Sequence, residues 1–185
     1  MKVFNQVPQI LIGQHTLERL PEVLPSKQQK DEYFAFVVDN IHQKTKLLER
    51  VPHGRNDLIV WCDCGKEPTT EQVDRYKYDI IEQKSNLPTA IIGIGGGSAM
   101  DIAKALSVVL TNPGPSSSFQ GWDLVSRPSL YKVGVPTLSG TGAEATGTAV
   151  LTGPEKKLGI NSQYSMFNAF IGDTTVLHTV PKEQT

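Results

Sequence analysis

The sequence predicts an α/β domain built on a parallel sheet. Three observations carry that expectation. YFAFVV is an apolar run that ends abruptly at Asp39, as a strand buried on both faces does, and DLIVW and AIIGI are further short apolar runs of the same kind. Segments with apolar residues at helical spacing lie between them, and alternation of strand and helix is the pattern of parallel sheets. One of the runs passes directly into Gly95, Gly96, Gly97 and Ser98 and then into a helical pattern.

In chain order, Val3 to Ile12 reads as two extended segments around Pro8, closed by Gly13. Thr16 to Leu24 places Leu17, Leu20, Val23 and Leu24 at helical spacing, and Pro25 stops that helix. Tyr33 to Val38 is a buried strand with Asp39 at its C-terminal end. HQKTKLLER gives a short helical stretch, and Asp57 to Trp61 a second buried strand. Pro68 and two threonines open a helix over Glu71 to Lys84, with Val73, Tyr76, Ile80 and Ile81 on its apolar side. Ala90 to Ile94 is the third strand, followed by a helix over Ser98 to Leu110. Asn112 to Ser118 is a Pro/Gly/Ser loop, Tyr131 to Val135 a fourth strand, and Pro136 to Gly142 a second loop of small residues. Ala149 to Leu151 and Ala169 to Ile171 read as short strands, linked by a turn at Gly153-Pro154 and a polar segment from Lys156 to Tyr164.

Composition bounds the function. A chain of 185 residues with 38% hydrophobic and 20% charged residues can bury a core, and its 16 glycines and 12 prolines make it loop-rich. That excludes disordered, collagenous and coiled-coil classes. A net charge of −1 supplies no broad field for nucleic acid or an anionic membrane, so a charged ligand must be held locally. No apolar run approaches the ~20 residues of a membrane span, and MKVFNQVPQILIG lacks a signal-peptide layout, so a cytoplasmic protein is expected. Cys62 and Cys64 form a lone C-x-C, too few ligands for structural zinc, and read as reduced thiols.

The strongest chemical signal is GIGGGSAMDIAK. Three glycines leaving a buried strand expose backbone N–H groups unshielded by Cβ, and the helix that follows points its positive end at the same place, which makes an anion site. The alternative is a tight turn in which Ser98 and Asp101 form a capping box. This is not the G-x-G-x-x-G fingerprint, since Ser98 stands in the place of the last glycine. The strand-end acid lies upstream instead. If parallel strands bring their C-terminal ends to one edge, Asp39 and the glycine loop can face one nucleotide, the carboxylate taking ribose hydroxyls and the loop pyrophosphate. Asp39 could equally be a turn or helix cap. VPTLSGTGAEAT adds Thr137, Ser139 and Thr141 around two glycines, a set that suits nucleotide contacts or simply an ordinary loop. His15, His42, His53 and His178 are scattered, with no H-E-x-x-H pair and no G-x-S-x-G elbow, so no complete catalytic constellation is visible, and His178 reads as a surface residue.

GGGSAMDIAK followed by VPTLSGTGAEAT resembles the iron-containing, or group III, alcohol dehydrogenases, and the similarity extends to Lys157-Leu158-Gly159-Ile160 and Ile171-Gly172-Asp173. The related dehydroquinate synthase and glycerol-1-phosphate dehydrogenase branch shares the fold, but the G-G-G-S-x-x-D-x-A-K form favours the alcohol dehydrogenases. The resemblance implies a Rossmann-like, dehydroquinate synthase-like N-terminal domain over residues 1–180. Residues 181–185 would begin the linker to an all-helical second domain that this chain lacks. It also implies NAD as cofactor: Asp39 on the adenosine ribose, Gly95, Gly96, Gly97 and Ser98 at the pyrophosphate with Asp101 beside them, Thr137, Leu138 and Thr141 along the nucleotide, and Lys157 near the ribose. Leu138 replaces a threonine of the family, Glu67 an asparagine, and Thr174 a proline. In the family a G-x-D-x-x-x-H segment and two more histidines hold a divalent metal, iron or zinc, which polarises the alcohol oxygen while nicotinamide accepts hydride. The chain reaches Thr185 before any of these ligands, so without them it is expected to bind NAD weakly, if at all, and to have no dehydrogenase activity. KLGINSQYSMFNAFI and NPGPSSSFQGWD look most like the 3-deoxy-D-manno-octulosonate 8-oxidases. These yield an aldehyde that a pyridoxal-phosphate aminotransferase converts to the 8-amino sugar of lipopolysaccharide. A small sugar or alcohol substrate and a homodimer are implied. The remaining alternatives are an iron-type dehydrogenase of another substrate and a non-catalytic nucleotide-binding module.

Overall fold

A computed structural model describes residues 6–177. Nine strands are present among the described residues: β1 (Gln9–Gly13), β2 (Phe34–Asp39), β3 (Leu58–Cys62), β4 (Ala90–Gly95), β5 (Gly121–Trp122), β6 (Tyr131–Pro136), β7 (Thr148–Thr152), β8 (Lys157–Asn161) and β9 (Ala169–Asp173). The α-helices are α1 (Leu47–Arg50), α2 (Thr70–Gln83), α3 (Gly97–Val109) and α4 (Thr174–Leu177). Six strands form one parallel sheet in the order β1-β9-β6-β4-β2-β3. The predicted fold class is therefore the observed one.

Strand periodicity divides the core between the two faces. Ala35 and Val37 of β2 and Ile91 of β4 pack with Val73, Tyr76 and Ile80 of α2 and with Ile102, Leu106 and Val109 of α3. Phe34, Phe36 and Val38 point the other way, joining Ile92, Ile94, Val133 and Val135 with Leu17, Leu20, Leu47 and Val51. Long helices cover the first face and short turns the second. Thr69 caps α2 by accepting the Gln72 N–H at 3.1 Å.

Several local expectations need correction. The segment predicted as a helix over Thr16 to Leu24 is a 3₁₀ helix, Leu17–Glu22, with Pro21 inside it; a proline there removes an N–H and prevents a longer α-helix. HQKTKLLER is split into a 3₁₀ turn, Asn40–Lys44, and the four-residue α1. The start of the extended reading at Val3 lies outside the described residues, and β1 begins only at Gln9, after Pro8. Most consequentially, the polar segment from Lys156 contains strand β8. It pairs antiparallel with β7 across the Gly153 turn and parallel with β5, making a second, three-stranded sheet. Lysine, glycine and asparagine hid the alternation in KLGIN, where Gly159 and Ile160 are buried. The small sheet is tied to α3 by Lys104, whose Nζ donates to Thr148 O at 2.7 Å.

Asp173 closes the sheet at the end of β9. Its buried carboxylate accepts from the N–H groups of His15, Leu17 and Thr175, the Thr175 hydroxyl and the Arg50 guanidinium. Burial alone would raise its pKa, but these donors overcome that and hold it at about 2.

Candidate functional site

Strands β2, β3, β4 and β6 all run the same way, so Asp39, Cys62, Gly95 and Pro136 end along one edge of the sheet. From β2 the chain passes outward to β3. From β4 it passes to the opposite side, to β6. The strand order therefore reverses between β2 and β4, and ligands of open α/β sheets settle in that crevice. Asp39 and Gly95 stand on its two sides.

The approach of these two residues requires glycine. Gly95 has φ 152°, and a Cβ on it would lie 2.6 Å from the Ala99 Cβ and 2.9 Å from the Asp39 Cβ. No larger side chain fits without moving β2 or α3. Gly96 is the N-cap of α3 and forms no side-chain capping hydrogen bond. The capping box between Ser98 and Asp101 is thus not formed. Asp101 faces Lys104 at 3.5 Å and accepts from the Val150 backbone of β7. Burial raises the Asp101 pKa and lowers that of Lys104, outweighing their mutual attraction in both cases. With the cap filled by a glycine, the first-turn N–H groups of α3 keep the partial positive charge of a helix start free of any side-chain carboxylate.

The loop after β6 lies over the glycines. A Cβ on Gly97 would come within 3.4 Å of Thr141 Cβ and Cγ2, and one on Gly96 within 3.7 Å of Leu138 Cδ2. Thr137 donates its N–H to Gly95 O at 2.9 Å. Its hydroxyl is buried and pairs with His42 Nε2 at 3.2 Å. His42 was legible in the sequence only as one scattered histidine. It lies on the turn that Asp39 starts, and burial lowers its pKa while Asp39 pulls it up. A neutral imidazole bracing Thr137 is the consequence. The Asp39 carboxylate accepts the Ile41 N–H at 3.2 Å, so it does cap the turn, and it also lines a 640 Å³ cleft with Asn40, Ile41, Gln43, Lys44, Cys64 and Gly65.

Asp39, Gly95, Gly96, Gly97, Ser98, Thr137, Leu138 and Thr141 are thereby gathered at one edge. Lys157 starts β8, with its ammonium engaged by Glu67 and its charge acting on Asp101 of α3. Sequence reasoning also passed over Glu144, whose Oε2 is buried with no hydrogen-bond partner among the described residues. The signal was available as a lone acid in a loop of small residues. No group of three or more His, Cys, Asp or Glu among the described residues could hold a metal ion, and His178 lies outside them. No helix among them is long and apolar enough to cross a membrane.

The profile of the family described as "Iron-containing alcohol dehydrogenase" matches residues 8–174. The chain belongs to the iron-containing alcohol dehydrogenase family. The sulfoacetaldehyde reductase of Bilophila wadsworthia is 35% identical over 141 residues, covering 75% of this chain and 36% of that protein. The NAD-dependent methanol dehydrogenase of Bacillus methanolicus is 33% identical over 126 residues, covering 66% of this chain and 32% of that protein. Among solved structures, the NADH-dependent butanol dehydrogenase A of Thermotoga maritima superposes on all of this chain and 47% of its own, with a TM-score of 0.80 and 26% identity. The sulfoacetaldehyde reductase of Bifidobacterium kashiwanohense in complex with NAD+ has a TM-score of 0.80 at 21% identity, a likeness that speaks for the fold, over 100% of this chain and 49% of that one. The chain spans about a third of these curated relatives and about half of these structures. Within this family it corresponds to the parallel-sheet half.

Proposed function

We propose that residues 1–180 form the NAD-binding domain of a metal-dependent alcohol dehydrogenase, with residues 181–185 opening the linker to a helical metal-binding domain. The observation that carries the reading is the contact of Asp39 with Gly95 at the reversal point of the sheet, beside an uncapped helix start. Those residues fit a dinucleotide: a flat floor of three residues without Cβ, N–H groups for a pyrophosphate, and a carboxylate at the neighbouring strand end for a ribose. NAD, when bound, supplies the hydride acceptor.

The chain's own residues bind and orient. Asp39 takes the adenosine ribose hydroxyls, and its charge disfavours a 2′-phosphate there. Gly95, Gly96, Gly97 and Ser98 seat the pyrophosphate at the start of α3. Leu138 and Thr141 close over it, Thr137 holds the loop to Gly95 with His42 behind it, and Asp101 with Lys104 fixes α3 to β7. Lys157 serves the ribose side if Glu67 releases it. The iron or zinc of the family finds no donor set among the described residues.

The substrate reading is the C8 hydroxyl of 3-deoxy-D-manno-octulosonate, oxidised to an aldehyde for a pyridoxal-phosphate aminotransferase in lipopolysaccharide synthesis. Its support is the resemblance of NPGPSSSFQGWD and KLGINSQYSMFNAFI, two segments that meet where Gly121 and Trp122 pair with Ile160 and Asn161. A cytoplasmic homodimer is part of the same reading. The test is NAD reduction by the complete protein with 3-deoxy-D-manno-octulosonate against simple alcohols. Preference for a simple alcohol rejects the sugar substrate. NADH formation by the 185-residue chain alone rejects the assignment of catalysis to ligands outside it.

A further inference from the structure

Cys62 and Cys64 are the only cysteines in the sequence. They leave the end of β3, and residues two apart on extended backbone face the same side, so their sulfurs meet at 3.5 Å. Both are free thiols. Cys62 is fully buried beneath α2 in the core, whereas Cys64 is partly exposed and lines the cleft that Asp39 lines. Asp39 and Cys62 are register partners across β2 and β3, which sets the pair beside the carboxylate proposed to take the ribose.

We propose that Cys62 and Cys64 are an oxidisable dithiol that closes to an intramolecular disulfide on reaction with hydrogen peroxide, a modification site on the rim of the Asp39 cleft. The order of events follows from exposure. The Cys64 thiolate attacks the peroxide O–O bond, giving a sulfenic acid on Cys64 and hydroxide. The Cys62 thiol then attacks the Cys64 sulfur and expels the sulfenic oxygen as water. Two thiols are oxidised and one peroxide is reduced to two waters. Closure needs the sulfurs to approach from 3.5 Å to about 2.05 Å, a movement available to Cys64 because it lies beyond the last strand residue. The neighbouring Cys62, burial and Asp39 all raise the Cys64 pKa, so the thiolate is scarce at neutral pH and the reaction accelerates as pH rises. Because Cys64 lies in the cleft, a seated dinucleotide should cover the sulfur that the peroxide must reach; this last consequence rests on the functional reading above.

The test is hydrogen peroxide treatment of the chain, followed by intact mass and thiol titration. The expected result is a loss of about two mass units and a fall from two titratable thiols to none, reversed by dithiothreitol, with a monomer on a non-reducing gel. Addition of one or more oxygens without that loss, or a disulfide-linked dimer, overturns the proposal. C64S should keep its remaining thiol under the same treatment, while C62S should accumulate the sulfenic acid; loss of the C64S thiol at the wild-type rate overturns the order of attack. Saturating NAD+ should slow thiol loss several-fold. Disulfide formation unaffected by NAD+ leaves the modification site standing and counts against the placement of the nucleotide.

Discussion

Lys132 offers a quantitative test of the packing on which the site rests. It sits on β6, one of the strands that carry the glycine-facing loop, with 2% exposure. Its Nζ donates to Ser129 Oγ at 2.6 Å and to Leu130 O at 3.2 Å, and no carboxylate among the described residues pairs with it. Burial, reinforced by the charge of Lys104, lowers its pKa to about 7 from the usual 10.5. A lowered lysine pKa means that the folded state binds fewer protons than the unfolded chain between those values, so the penalty is full below pH 7 and is relieved as pH rises toward 10.5. At about 1.36 kcal/mol per unit the penalty approaches ~4.7 kcal/mol at pH 6 and ~2 kcal/mol at pH 9, as upper bounds. Lys132→Met keeps the length of the side chain, and Ser129 Oγ retains its bond to Tyr164 O. The substitution should therefore stabilise the fold by about 2–4 kcal/mol at pH 6, less the two lost hydrogen bonds, with the gain shrinking by pH 9. Urea denaturation of both proteins at pH 6, 7.5 and 9 measures this directly. A variant less stable at every pH, or a difference independent of pH, refutes the assignment of Lys132 as a costly buried amine.

Other expectations follow from single residues. Gly95→Ala forces a Cβ against both Asp39 and Ala99 at a backbone angle that disfavours side chains, and should cost at least about 2 kcal/mol in denaturant unfolding. Asp173→Ala removes the acceptor of Arg50 Nη2, whose guanidinium keeps only Glu18, and leaves the buried Leu17 N–H unpaired, and should cost about 2–4 kcal/mol. With the Asp173 pKa depressed, its contribution in the wild type is fully present above the ordinary carboxylate value of 3.8 and is lost as pH falls toward about 2, which acid titration of stability should show. Asp39→Ala in the complete protein should weaken NAD about 10- to 100-fold by removing hydrogen bonds to a charged acceptor, while leaving the 2′-phosphorylated cofactor less affected, as read from KM values.

The fold was legible where burial wrote it into residue type. FAFVV and AIIGI are strands whose residues are buried on both faces of the parallel sheet, LIVW is its half-buried edge, and Asp39 and Gly95 came to one end as parallel strands require. What escaped was structure decided by partners rather than by pattern. Strand β8 depends on β7 across the turn, and its Lys157 and Gly159 carry no strand signal of their own. The S-x-x-D spacing of Ser98 and Asp101 matched a capping box, but Lys104 and the Val150 backbone claimed Asp101 instead. His42 became visible only when the turn after β2 carried it to Thr137, a residue remote in sequence.

The central claim is that one dinucleotide lies across Asp39 and the glycine loop, and amide NMR of the 185-residue chain titrated with millimolar NAD+ tests it most directly, since weak binding is still seen as shifts. Shifts confined to Gly95 through Ser98, Asp39 through Ile41 and Leu138 through Thr141 are the expected result. Shifts clustered elsewhere, or none at saturating nucleotide, would contradict it.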